Sequence, residues 1–472
     1  MNSNSILKQA RKIFLLGFLG FLVSACSKNF LDQKPYTSVT PEDALDDASD
    51  IAIALNGAYA DLRDVSLYGR TLPVFGDLYA DNAFTSIKNS GKYVAFDNYT
   101  VFANNGDFSG IWNMSYNTIL RVNNIINAPV DDESVRSDKG EAYALRALMY
   151  FNLVRIFARP YTESPQALGI PIVLTYDPAL KPARNTVAEV YEQILADLDQ
   201  AISREPVYHG SARISLYAAK ALQAKVWLYM GDFEKALAVA NDVINNSGFQ
   251  LVAKDELLSY WADGTYHGAD VKKETLFEVD ADEVSNISFN ELACIYNQNS
   301  AGDLLANETL YGLYSATDVR RGLFKEGARE QGEPNAVLVQ KYKNYTGNFD
   351  NKKVLRFSEM YLIAAECNTR LGKDEQAKAV LSTWMAERDP AFTTAASGDE
   401  LLELIIQERR KEFAFEGDRF LDLNRLQLDL HRKGGNYAVK DLVFSDYRRI
   451  APIPKAEMDA NGNMKQNPDY TE

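Results

Sequence analysis

Beyond residue 40, apolar side chains recur mostly at the 3.6-residue period of a helix. Ala142, Leu145, Leu148, Met149, Leu153 and Ile156 share one stripe, and Arg159-Pro160 closes that helix. Ile214 to Ile244 is rich in Ala and breaks at Gly231-Asp232, and Val354 to Trp384 breaks at Leu371-Gly372-Lys373. The period fails over 64–115 and 247–345, where Gly, Asn, Asp and aromatic residues crowd between short apolar runs. Only brief segments such as Thr275-Leu276-Phe277-Glu278-Val279 read as strands.

The two glycine breaks share one form. A small-residue helix runs into Leu228 to Phe233 or Thr369 to Asp374, and then Glu234-Lys235-Ala236-Leu237 or Glu375-Gln376-Ala377-Lys378 opens a second helix. Small residues let two helices cross closely, which is the physical basis of a tetratricopeptide pair. The turn glycines are 141 residues apart, so the chain is no tandem array at the ~34-residue period of such repeats. The prediction is a single domain over 41–472, with pairs at 142–157 with 188–202, at 214–245 and at 354–385. It is mainly α, a tetratricopeptide-like scaffold with minor β. The long insertions at 64–115 and 247–345 are expected to face the ligand, because binding residues gather on loops held by a rigid frame.

The first residues address the compartment. Lys8, Arg11 and Lys12 precede the apolar run Ile13 to Val23, which is far short of the ~20 residues that span a bilayer. Small residues follow at Ser24-Ala25 before Cys26, so 1–25 is expected to be a cleaved signal peptide. The Val23-Ser24-Ala25-Cys26 ending resembles a bacterial lipobox. Cys26 is therefore the expected lipid attachment, carrying acyl chains such as palmitate, and 26–40 is expected to be a polar tether. Acyl chains anchor at ~0.8 kcal/mol per buried CH₂, so a multiply acylated Cys would hold stably.

Composition then removes possibilities. With 65 acidic against 50 basic side chains the net charge is −15, which argues against a nucleic-acid partner. His209, His267 and His431 are too few and too scattered for a His-built triad or metal site. Cys294 and Cys367 show no C-x-x-C spacing; Cys367 lies inside a helical pattern and reads as a buried free thiol, and no redox role is expected of either. There is no G-x-G-x-x-G after a strand, no Walker sequence and no G-x-S-x-G elbow. Asp459 to Asn463 opens like a calcium loop, but Met464 and Tyr470 occupy the hallmark Gly and Glu positions, so a structural calcium ion is not supported. Glu408, Glu412 and Glu416, four apart, could be glycosidase carboxylates, yet Arg or Lys stands at i±3 or i±4 of each, the geometry of helix ion pairs. No catalytic residue, metal or cofactor is expected.

Taken in order, the motifs resemble the SusD/RagB family of outer-membrane nutrient-uptake lipoproteins over nearly the whole chain. Asn29-Phe30-Leu31-Asp32 after the lipobox is similar to its mature start, and Ile111-Trp112 through Tyr116 to Asn123-Asn124-Ile125-Ile126 to an early helix. Gly140 to Ala147 with Tyr150-Phe151 resembles its GEA-x-x-LRA-x-x-YF helix, with Ile170-Pro171 following. Glu274 to Glu278, Arg356 to Glu366 and Glu408 to Arg425 match later segments, and Ile453-Pro454 and Gln466 to Tyr470 its close. Cys367, Leu426 and Asp469 depart from the common Ala, Trp and Gly. The resemblance implies a SusD-like fold with four tetratricopeptide-like pairs, lipid-anchored on the surface of the outer membrane. It implies a TonB-dependent transporter of the SusC type as partner, and an oligosaccharide, or in some branches a peptide, as ligand. A surface glycosidase is the enzymatic alternative.

No motif fixes the ligand contacts. A sugar offers apolar C–H faces and hydroxyl edges, so a binding site needs flat aromatic rings flanked by amide or acidic groups. Two loop regions hold that mixture: Tyr68 to Phe96, with Tyr79, Asp81, Asn82 and Tyr93, and Tyr260 to Tyr296, with Trp261, Tyr266 and Tyr296 near Asn290 and Asn297. Trp261 is the first candidate, since it sits among polar, turn-forming residues.

Overall fold

The glycine breaks become turns because only glycine enters the left-handed region without strain. Gly231 at φ 77° ends the helix Leu216–Met230, and Asp232 then caps Phe233–Asn246 by accepting from Lys235 N. Gly372 at φ 70° separates Phe357–Arg370 from Asp374–Met385 in the same way. Between Arg136–Phe157 and Val187–Ser203 the connection is longer, and a capping box starts the second helix: Thr186 accepts from Glu189 N while Glu189 accepts from Thr186 N. The structure, a computed structural model, describes residues 45–262, 273–347 and 349–470. Cys26, the expected signal peptide and the tether lie outside the described residues, as does Tyr266.

Among the described residues a helix pair stands before the three regions expected to hold pairs. Ala48–Asp61 packs on Gly106–Ile126, which packs on Arg136–Phe157, and Val187–Ser203, Leu216–Met230, Phe233–Asn246, Phe357–Arg370 and Asp374–Met385 follow, each packed on the one before it in this series. Gly398–Glu412 lies against Phe357–Arg370. The result is a mainly helical scaffold. No helix among the described residues is long and apolar enough to cross a membrane.

The insertions add minor sheet. Ala83–Thr85, Leu304–Ala306, Ala336–Val339 and Phe324–Gly327 lie side by side in that order as an antiparallel sheet. Thr275–Val279, the strand expected from sequence, pairs with Lys352–Arg356 and is buried along its whole length. The segment 64–115 is less of a loop than its composition suggests. Thr71–Leu78 is a fully buried helix, and the helix Gly106–Ile126 begins inside the segment. Thr71–Leu78 is drawn in by close backbone contact, since a Cβ at Gly76 would collide with Gly417.

Candidate functional site

The described aromatic candidates point inward. Tyr79 is 1% exposed and packs edge-on against Phe96 and Phe420, while its carbonyl accepts from the Tyr99 hydroxyl. Tyr93 is buried with its hydroxyl accepting from Arg70 Nε at 2.8 Å. Tyr296 is stacked on Tyr342, ring centres 6.2 Å apart. Trp261 is 4% exposed and lies under cations: Lys341 Nζ at 4.2 Å, Lys353 Nζ at 4.7 Å and Arg356 Cζ at 5.3 Å. Such rings give their area to loop anchoring and cation–π contact, so none is free to stack on a sugar.

The polar candidates are equally committed. Asn82 donates to Asp77 at 2.7 Å and accepts from Arg410 Nε at 2.8 Å. Asp81 accepts from Arg419 Nε at 2.8 Å and pairs with Arg410 at 3.1 Å. Burial opposes its charge, but Arg419 and Arg410 outweigh that and hold the carboxyl at about 2. Sequence alone could not separate these residues from ligand contacts, because polar neighbours of an aromatic look the same whether they meet a sugar or an arginine from far along the chain.

The glutamates of the charged segment are also interior, and their partners differ from those expected. Only Lys411, donating to Glu408 at 2.7 Å, is a neighbour on the same helix. Glu408 otherwise takes Arg320 at 2.6 Å, and Glu416 takes Lys341 at 2.6 Å and Arg356 at 2.7 Å. Glu412 receives Arg356 at 2.7 Å, Arg388 at 3.1 Å and Arg320 at 3.3 Å. Burial alone would raise the Glu412 carboxyl, but Arg388, Arg356 and Arg320 keep it well below its usual range. A glycosidase acid needs the opposite shift. Burial does push Asp77 and Glu141 up to about 7, yet both are fully buried and engaged by internal partners. Among the described residues no group of three or more His, Cys, Asp or Glu could hold a metal ion. At the loop expected not to bind calcium, Asp459 pairs with Lys455 at 3.1 Å and Asn461 donates to Pro182 O at 2.8 Å.

The insertions also expose side chains, Phe102 at 62% in the first and the turn 282–290 in the second. Phe289 is 76% exposed and Val284 92% exposed. The turn is pinned at both ends. Ala281 N, just before it, donates to Asn351 Oδ1 at 2.9 Å, Asp282 accepts from Val284 N at 2.7 Å, and Glu291, buried in an ion pair with Lys352, accepts from Ile287 N at 2.9 Å. Asn290 accepts from Arg70 Nη1 at 3.1 Å, and Ser288 at φ 55° turns the chain so that Phe289 projects. The Cys294 thiol reaches the carbonyls of both Ser288 (3.7 Å) and Tyr345 (3.6 Å), which sets the half-buried Tyr345 segment beside the turn. Asn297, whose side chain donates to Lys343 O at 3.3 Å, borders the same place. The region was indicated by sequence, but Phe289 was not. Its signal was the one that favoured Trp261, an aromatic residue among Ser and Asn. Separately, an open groove of ≈ 980 Å³ beside the four-stranded sheet is lined by Glu308, Tyr311, Glu326, Glu333, Asn335 and Asn436, among others.

Comparison with known proteins gives consistent matches. A family model described as starch-binding and associating with the outer membrane matches residues 29–228, and the SusD family model matches residues 259–470. The SusD-like protein P2 of Formosa agariphila is 27% identical, over 97% of this chain and 100% of that protein. A SusD superfamily protein from Bacteroides thetaiotaomicron is similar in structure at TM-score 0.80 and 30% identity, covering 89% of this chain and 99% of that one. A Bacteroides vulgatus protein provisionally assigned as sugar-binding is similar at TM-score 0.83 and 28% identity, over 91% of this chain and 100% of that one.

Proposed function

The chain belongs to the SusD family, and from that premise we propose that it is a non-catalytic surface lipoprotein that binds an oligosaccharide and delivers it to a TonB-dependent, SusC-like transporter in the outer membrane. The observation that carries this reading is the exposed Phe289 ring on a turn held by Arg70 and the buried Glu291, with Asn290 next to it. A flat ring suits the C–H face of a sugar, and the amide NH2 of Asn290, whose oxygen already accepts from Arg70, can donate to its hydroxyl edge. The family description supports a carbohydrate ligand and the outer membrane. Attachment through Cys26 is supported by the signal sequence before it and the start of the family match at residue 29. A binding role without catalysis is supported by Glu408, Glu412 and Glu416, which are spent on internal ion pairs.

An array of oligosaccharides and peptides probed with the lipid-free protein tests the ligand class. Binding confined to glycans is expected, and binding confined to peptides overturns the carbohydrate assignment. New reducing ends after incubation with a bound glycan would reveal an enzyme. For the anchor, Cys26→Ala is expected to release the protein from the membrane fraction. An Ala variant that stays there in cells lacking the transporter contradicts attachment through Cys26.

A further inference from the structure

A partly enclosed cavity of ≈ 40 Å³ lies where the helices Arg136–Phe157, Leu216–Met230 and Phe357–Arg370 meet the Tyr68 segment and the turn that carries Asp418. Arg155 lines it with its side chain only 8% exposed. Two of its nitrogens are occupied, with Nε donating to Phe151 O at 3.1 Å and Nη2 to Asn152 Oδ1 at 2.8 Å. Nη1 is buried and has no hydrogen-bond partner among the described residues. Asp418 Oδ1 stands 3.9 Å from it, beyond hydrogen-bond reach. Asp418 accepts from Lys225 Nζ at 2.9 Å on each oxygen, which leaves it further lone pairs. Tyr68, on the same wall, accepts from Asn152 Nδ2 at 2.8 Å, and no acceptor for its own proton is found among the described residues.

We infer that this cavity is a permanent hydration site, in which at least one ordered water accepts from Arg155 Nη1 and donates to Asp418. The 3.9 Å ion pair between Arg155 and Asp418 is too long for a direct hydrogen bond and short enough for one water to contact both groups. The volume suffices, since one water needs roughly 10–15 Å³ of such space and two to four polar partners. The mixed charge selects the occupant. An anion would face the Asp418 carboxylate and a cation the Arg155 guanidinium, whereas water can accept from one and donate to the other. The site joins the helical scaffold to the Tyr68 segment and does not depend on the proposed ligand.

A crystal structure of the protein at a resolution that shows ordered water tests this, with parallel crystals soaked in bromide or pressurised with xenon. The expected result is a water within about 3.2 Å of both Arg155 Nη1 and Asp418 Oδ1, with no anomalous signal in the cavity from either soak. A xenon peak would mean a dry void, a bromide peak an anion site, and a direct Arg155–Asp418 hydrogen bond a joint without water. Each of these results overturns the inference.

Discussion

Around Glu412, side chains of opposite sign are withdrawn from water together, whereas around Phe289 a single ring is held out into it. Glu412 is 4% exposed and meets Arg320, Arg356 and Arg388, while the glutamates before and after it take Arg320, Lys341 and Arg356. Phe289 is carried by a turn whose polar groups bond each other, Arg70 and the buried Glu291. Both regions lie in sequence stretches rich in polar and aromatic residues. The difference is whether distant partners arrive to satisfy those groups. Where they arrive, residues that resemble binding machinery become structural; where they do not, the exposed ring is available to a ligand.

The comparison breaks most sharply at Glu412. Glu412→Ala leaves Arg320, Arg356 and Arg388 short of a buried counter-charge, and breaking such a pair costs about 3–5 kcal/mol. Urea unfolding should show a loss of that size, with ligand affinity of the folded fraction unchanged. A loss near 0.3–0.5 kcal/mol, typical of exposed helix pairs, would mean that the network is solvated. Trp261→Ala should cost roughly 3–5 kcal/mol by removing a buried ring. If it unfolds at the wild-type urea concentration but loses ligand, Trp261 belongs to the binding face after all.

Titration gives a third separation. Asp77 is raised to about 7, mainly by burial, so its native form holds a proton that the unfolded chain, near 3.8, has given up. Its contribution to stability is full below about pH 4 and is lost as pH rises toward about 7. Comparing wild type with Asp77→Asn across that range should show wild type losing ground as pH increases. Asp81, held at about 2, works in the opposite sense: its contribution is present above about pH 4 and lost as pH falls toward 2. Difference curves between each Asn variant and wild type that run parallel would contradict both assignments.

Local signals carried much of the scaffold and little of the site. Gly231 and Gly372 could be read as turns because the left-handed conformation is a local demand, and Thr275–Val279 because its β-branched and aromatic residues cluster. The first pair was hidden. The insertion between Ala48–Asp61 and Gly106–Ile126 separates its helices, so no short turn links them. The site residues failed for a tertiary reason. Asp81 is bound by Arg410 and Arg419, more than 300 residues later in the chain, and no local pattern announces that meeting. The same holds for the glutamates, where the i±4 spacing predicted local pairs but residues as distant as Arg320 supply the charge.

The smallest effect on stability and the most direct test of the account are expected at Phe289. Titration calorimetry of wild type and Phe289→Ala with an oligosaccharide chosen from the array compares them at matched folding. The predicted result is a loss of about 0.5–1.5 kcal/mol, roughly two- to thirteenfold in Kd, with the melting temperature nearly unchanged. Undiminished affinity in the folded Ala variant would contradict the claim that the exposed turn, rather than the buried aromatic residues, meets the ligand.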